Sequence, residues 1–283
     1  MSVTTLQSVE HDSFFTKLDF RPKLALMVAI TLVAFLWESP VLGGLLASGV
    51  ILACLAAGVK GSYIRRIFLI MLPFYALLIV TQGFFAAPLV RARTGQTVLT
   101  PLIVFPERWW LVGGATMTAE GVAYGLNVVF KTLTMTLVIP LGIFTTDVNT
   151  MIVGMVKAGI PYKIAFIFSS TLRFFPLLFN EIQSIIEAQR LRGLAFERMG
   201  PIQRVRIYAK VAVPLILGAM IKSQMLEVVL QSKAFSGSPD RTYLHESRMG
   251  PGDYGLLAFS ALFLVVAIVS YVALGVGKFL GPI

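Results

Sequence analysis

Residues 162–197 read YKIAFIFSSTLRFFPLLFNEIQSIIEAQRLRGLAFE. As one continuous helix this stretch would extend about 54 Å, far beyond the ~30 Å hydrocarbon core of a bilayer. Its first half, Ile164–Asn180, is apolar apart from Arg173, and its second half, Glu181–Arg198, is amphipathic and charged. Gly200 and Pro201 turn the chain, and proline suits the first position of a new helix. Residues 202–235 then read as a second long helix, basic at first (Arg204, Arg206, Lys210), apolar over 211–221 and mixed beyond, with Pro214 as a point of bending. Each helix is too long and too half-polar for a plain span. Each suits a rod lying partly along a membrane face, where it docks on lipid, on a soluble partner, or on both.

The rest of the chain places these rods in a membrane protein. Of 283 residues, 57% are hydrophobic and 13% charged, whereas a soluble domain carries about 25% charged residues. Mean hydropathy is +0.82. The run 24–59 has one charge, Glu38, and is broken by Pro40 and Gly43-Gly44, so it reads as two spans, 24–38 and 41–58, with Asp19 as N-cap of the first. Further spans are expected over 67–90, with Pro73 inside, 121–146, and 254–277. Residues 91–118 interrupt the pattern with Arg91, Arg93, Pro101, Pro106, Glu107 and Arg108, while Trp109-Trp110 suits a membrane interface. The expected fold is an all-α integral membrane protein with about five transmembrane helices plus two long crossed cytoplasmic helices, which the resemblance described below makes coupling helices. Residues 1–146 form the N-terminal transmembrane bundle, with a cytoplasmic arm over 1–20 and an extracellular loop over 91–118. Residues 147–250 form the cytoplasmic module of the two long helices, a coupling module by that same resemblance, and 251–283 the C-terminal transmembrane helix.

Composition also excludes chemistry. One cysteine, Cys54, allows no internal disulfide. Two histidines, His11 and His245, cannot build a zinc or haem centre unaided. No phosphate-loop motif occurs, so any ATPase is another chain. No metal, cofactor or catalytic residue is assigned, and a membrane enzyme would concentrate His, Asp, Glu or Ser at one depth, which these residues do not.

The net charge is +10, and residues 145–250 hold 13 basic and 7 acidic residues. Interleaving of the basic residues with apolar runs argues for a cytoplasmic, lipid-proximal region and against nucleic acid. Lys60, Arg65 and Arg66 read as a short cytoplasmic loop. Glu10, His11, Asp12 and Asp19 fit no signal-peptide n-region, so the N-terminus is expected in the cytoplasm. That puts 91–118 outside, against which Arg91 and Arg93 weigh slightly. Lys131, inside a span, has two readings: a polar contact with Glu120 or Glu227, or snorkelling to an interface.

Two similar basic ends mark the long helices. The first ends in Glu187-Ala-Gln-Arg-Leu-Arg-Gly193, the second in Leu230-Gln-Ser-Lys-Ala-Phe-Ser-Gly237. A cation at a helix C-terminus is favoured by the macrodipole, an adjacent glycine lets a partner approach, and arginine offers a planar fork. Either end alone is explained by capping and topology. Together, with Arg192 and Lys233 41 positions apart and so at opposite ends of an antiparallel pair, they favour docking to two similar sites.

With these motifs in view the chain resembles the transmembrane T component of energy-coupling-factor transporters, including the cobalt-transport Q-type proteins. The resemblance rests on Leu18-Asp-Phe-Arg-Pro-Lys-Leu24, Gly159-Ile-Pro161, Leu172-Arg-Phe-Phe-Pro176, Glu187-Ala-Gln-Arg-Leu-Arg-Gly193 and Gln231-Ser-Lys-Ala-Phe235. It covers most of 15–245 and is weak over 86–118.

The resemblance implies a subunit without catalysis of its own, in the plasma membrane of a prokaryote. It would link two ABC-type ATPase subunits in the cytoplasm to a membrane-embedded S component that binds a vitamin or metal ion. In that family each coupling helix ends in an Ala-Arg-Gly-like triplet whose arginine enters a groove of one ATPase. The triplets fall here on Leu191, Arg192 and Gly193, and on Ser232, Lys233 and Ala234. Leu191 stands where Ala is frequent, Lys233 where Arg is usual, and Ala234 where Gly is usual; an ammonium lacks the bidentate fork. Arg173, Pro176 and Arg190 are expected to serve the structure of the coupling module. For Arg173 that means buried hydrogen bonds, the other reading being a snorkelling arginine beside a proline kink. The rival function is a self-sufficient secondary carrier or channel, which commonly shows paired repeats and broken helices; neither is evident.

Overall fold

The computed structural model describes residues 15–94, 99–104, 116–193, 200–235 and 249–279. The expectations for residues 1–14, Trp109-Trp110, both histidines and residues 236–248 lie outside these ranges. In chain order the elements are α1 (Phe20–Leu36), α2 (Pro40–Ala56), α3 (Gly61–Phe85), α4 (Ala87–Thr94), β1 (Pro101–Val104), β2 (Thr116–Thr118), α5 (Ala119–Ile143), α6 (Val148–Lys157), α7 (Tyr162–Leu191), α8 (Pro201–Ser232) and α9 (Pro251–Ala273).

The chain is an all-α integral membrane protein apart from one antiparallel strand pair, with Val104 opposite Thr116 and an irregularity between Pro101 and Ile103. Among the described residues five helices are long and apolar enough to cross a membrane: α3, α5, α7, residues 211–232 of α8, and α9. The number agrees with expectation but the membership does not coincide. Helices α1 and α2 have 17 residues each, about 25 Å of helix and the lower limit for a span. Both long helices α7 and α8 qualify by length and composition.

Two local readings are corrected. Arg65 and Arg66 are not in a loop, because α3 begins at Gly61 with Lys60 at its N-cap. The described residues of 91–118 include the end of α4 and the two strands. Helix α7 ends at Leu191, six residues short of Glu197, where Gly193 takes φ 88°.

The chain forms two compact units, one comprising 7–154 and 247–283, the other 1–6 and 155–246. In the first, α5 is central and packs against α1, α2 and α3, and α1 packs along α9. Leu26, Ile30, Ala47, Val50, Cys54, Tyr75, Leu133, Leu137 and Leu141 are buried together. Gly121 and Gly125 lie one turn apart on the face of α5 toward α3. A Cβ on Gly125 would sit 3.0 Å from the Ile79 backbone, and one on Gly121 2.8 Å from the Gly83 carbonyl. Small residues at this spacing let two helix backbones meet, the usual route to close packing where lipid removes the hydrophobic drive between helices. Leu32, Phe35, Leu52, Leu77, Leu262 and Val272 remain bare, as lipid-facing side chains do.

At one end of this unit, polar contacts tie the α1–α2 turn to its neighbours. Glu38 pairs with Arg93, and its carbonyl accepts from the Asn127 side chain. The backbone N–H groups of Glu38 and Ser39 donate to the Gly277 carbonyl. Lys131, one turn beyond Asn127, donates to the Phe35 carbonyl at 3.1 Å. Its expected partners are engaged elsewhere: Glu120 accepts from Thr100, and Glu227 from Gln231. Its acceptor is a carbonyl near the end of α1 and neither of the two carboxylates weighed for it.

Candidate functional site

The unit 155–246 contains α7 and α8 side by side and antiparallel. Phe166, near the start of α7, lies 4.6 Å (ring centroids) from Phe235, just past the end of α8, and Tyr162 lies 6.2 Å from the same ring. Further along, Lys222 of α8 pairs with Glu181 of α7. Gly218, one turn before Lys222, makes room: a Cβ there would sit 2.9 Å from Glu181 Oε1.

This pairing places the two predicted triplets at opposite ends. Arg192 follows Glu181 by 11 residues and Lys233 follows Lys222 by 11 residues. At 1.5 Å per residue each tip stands about 16 Å from the central ion pair, in opposite directions.

The two tips have the same local geometry. Arg192 and Lys233 are both C-cap residues, with φ/ψ of −81°/11° and −91°/14°. Each is followed by a left-handed residue, Gly193 at φ 88° and Ala234 at φ 50°. In α7 the Gly193 N–H donates to the Arg190 carbonyl, and in α8 the Ala234 N–H donates to that of Gln231. The Phe235 N–H also reaches the Leu230 carbonyl at 2.9 Å, completing a Schellman motif. Leu191, Arg192, Gly193, Ser232, Lys233 and Ala234 are all exposed, Leu191 at 91%. The structure thus presents two exposed cations on matching helix ends, each beside partial negative charge from terminal carbonyls.

Ala234 is the only non-glycine residue at positive φ among the described residues. A Cβ in this region is disfavoured, whereas glycine is not, although glycine gives up more chain entropy on folding. Ala234→Gly is expected to stabilise this helix end by about 0.5–1 kcal/mol. The check is amide hydrogen exchange of the full chain: the Ala234 and Phe235 amides should exchange several-fold more slowly.

The coupling-module residues are less uniform. Pro176 lies inside α7, where it removes one backbone donor. Arg190 is exposed in the last turn. Arg173 is exposed as well. It lies on a helix whose side chains are exposed or half-buried, Ala165 being its one buried residue among those described.

A second set of polar residues surrounds the motif Leu18–Leu24. Lys23 is 2% exposed, and donates to the Thr145 carbonyl at 2.7 Å and the Thr146 hydroxyl at 3.0 Å. The Asp19 N–H donates to Asp253 Oδ1 at 2.8 Å, and Asp253 Oδ2 accepts from the Gly250 N–H, capping α9. Asp19 stands at the expected N-cap position of α1, but its carboxylate pairs with Arg21 at 2.9 Å in place of the helix amides. The motif is thus a buried polar joint holding the start of α1 to the start of α9 and the end of α5. Thr145, Thr146 and Asp253 were not foreseen, and neither were Glu181 and Lys222. For the last pair a signal existed: they are 41 positions apart, the same offset as Arg192 and Lys233.

Comparison with known proteins agrees with this architecture. The chain is 25% identical over 280 residues to the energy-coupling factor transporter transmembrane protein EcfT of Acidaminococcus fermentans, covering 94% of this chain and 96% of that one. It is 26% identical to the protein of that name from Brevibacillus brevis over 93% and 95% of the two chains. For the one from Lactobacillus helveticus the values are 27%, 91% and 89%. Residues 11–244 match the family described as cobalt transport protein, CbiQ. That match takes in α1 to α8 and both helix ends, and the chain belongs to the CbiQ cobalt transport protein family.

Proposed function

We propose that the chain is the transmembrane scaffold of an energy-coupling-factor-type ABC importer, transmitting ATP hydrolysis by two cytoplasmic ATPases to an S component that carries a vitamin or a metal ion. The observation that carries this reading is the pair of matching cationic ends on α7 and α8, equally spaced from the Glu181–Lys222 pair. Two alike knobs at opposite ends of one antiparallel pair suit two alike grooves on two ATPase subunits. The relatives' names, as transmembrane proteins of energy-coupling factor transporters, support the same role.

In this reading Arg192 enters one groove with its planar fork, and Lys233 enters the other as a compact charge. Residues 147–250 act as the coupling module, between the bundle of 1–146 and the final helix of 251–283. Phe168, Phe175, Met220, Met225 and Val228 are bare in the isolated chain, an apolar area of the kind that partners or lipid cover. The S component takes part of it. ATP chemistry belongs to the partners, and the N-terminus and both tips face the cytoplasm of a prokaryotic cell, as the excess of basic residues over 145–250 supports.

The experiment is a mild-detergent pull-down of the tagged chain from its native membrane, followed by mass spectrometry. Two ABC ATPases and one small membrane protein are expected. Recovery of no ATPase, under conditions that keep a known ABC transporter intact, would reduce the basic ends to topology signals.

A further inference from the structure

The first turns of α3 border two adjoining depressions, the second of them where α3 meets α2 and α5. One, of about 640 Å³, is lined by Gly61, Ser62, Arg65, Arg66, Leu69 and Ile70. The other, of about 340 Å³, is almost wholly apolar, with Ile51, Leu55, Phe68, Leu133 and Leu137 in its wall. Gly61 and Arg65 line both. The groove therefore has a cationic end at the first two turns of α3 and an apolar end among helices of the membrane bundle. Arg65 and Arg66 are exposed. No acidic residue is among the described lining residues of either depression, and the sequence has none between Glu38 and Glu107. The Tyr63–Phe144 edge contact at 5.1 Å sets the end of α5 level with this start of α3.

We infer that this groove binds one anionic phospholipid, the phosphate on Arg65 and Arg66 and an acyl chain along Leu55 and Phe68. Two arginines lining one depression, with no carboxylate among its described lining residues, match a lipid phosphate in charge and hydrogen-bonding fork. The apolar continuation matches the chain attached to it. A soluble anion would gain nothing from the second depression. An apolar protein segment would leave two arginines facing hydrocarbon without counter-charge.

The full chain, purified in mild detergent, is exposed to equimolar dioleoylphosphatidylglycerol and dioleoylphosphatidylcholine and read by native mass spectrometry. The wild type should retain one phosphatidylglycerol in preference to phosphatidylcholine. Arg65→Gln with Arg66→Gln should lower that preference by roughly 30-fold, the discrimination expected of two surface cations. Leu55→Trp, which fills the apolar half and leaves both arginines in place, should reduce retention of either lipid. Arg91→Gln, outside the groove, should change nothing. Equal retention of the two lipids by the wild type, or an unchanged preference in the double arginine variant, overturns the site. So does displacement of the lipid by excess inorganic phosphate, which would point to a free anion.

Discussion

In the proposed role, the double variant Arg192→Ala, Lys233→Ala is expected to insert in the membrane normally and to lose the two proposed ATPase contacts and coupled uptake. Each tip offers one cation on an exposed helix end, so truncation removes a charge-assisted contact without disturbing packing inside the chain. A central charged contact of this kind is worth about 2 kcal/mol, or roughly 30-fold in affinity at each end. The single variants separate the two contacts. Arg192→Lys should weaken docking because the fork is lost, whereas Lys233→Arg should preserve or strengthen it. The measurements are ATPase recovery by pull-down and substrate uptake in cells lacking the endogenous subunit. Normal uptake by the double variant would remove Arg192 and Lys233 from the coupling role.

Lys23→Met is expected to be the most destabilising single substitution in the bundle. Lys23 is buried, is hydrogen-bonded to Thr145 and Thr146, and lies in the field of the Asp253 and Asp19 carboxylates. Removing the cation leaves the buried Asp253 carboxylate short of positive charge, while Asp19 keeps Arg21, and strands the Thr145 carbonyl. Breaking a buried charge cluster from one side costs about 3–5 kcal/mol. The loss should appear as a Tm lower by several degrees in detergent, and as lower yield from the membrane. Asp253→Asn should cost less, because an amide oxygen can still accept from the Gly250 or Asp19 N–H. A Lys23→Met protein as stable as the wild type would make the joint dispensable.

Much of this was legible in the sequence, and the failures have physical causes. Long apolar runs locate α3, α5 and α9 because hydrocarbon forces every backbone group into a helix. The motifs at the ends of α7 and α8 were legible because a basic residue followed by a small one is a local signature of a helix terminus, although the first helix was carried six residues too far. Long-range pairings were not legible. Asp19 meets Asp253 across 234 positions, and no pattern within one helix announces such a partner. Lys131 was read either as meeting a carboxylate or as snorkelling to an interface, and its bond goes to a backbone carbonyl, which is invisible to a reading of side chains. Arg65 and Arg66 read as a loop because charge marks the ends of spans, yet the helix they belong to begins before them.

The equal spacing of Arg192 and Lys233 from the Glu181–Lys222 pair makes α7 and α8 a balance with arms of one length. Turning either helix about that pair by ~10° would carry its tip through ~3 Å, given an arm of about 16 Å. Opposite turns of the two helices would move the tips by the same amount. A pivot at the midpoint thus divides any closing motion of two bodies gripping the tips evenly between them. Shortening one arm by a residue would break that evenness and swing its tip by ~100° around the helix axis, so the 11-residue arms bear on direction as well as reach.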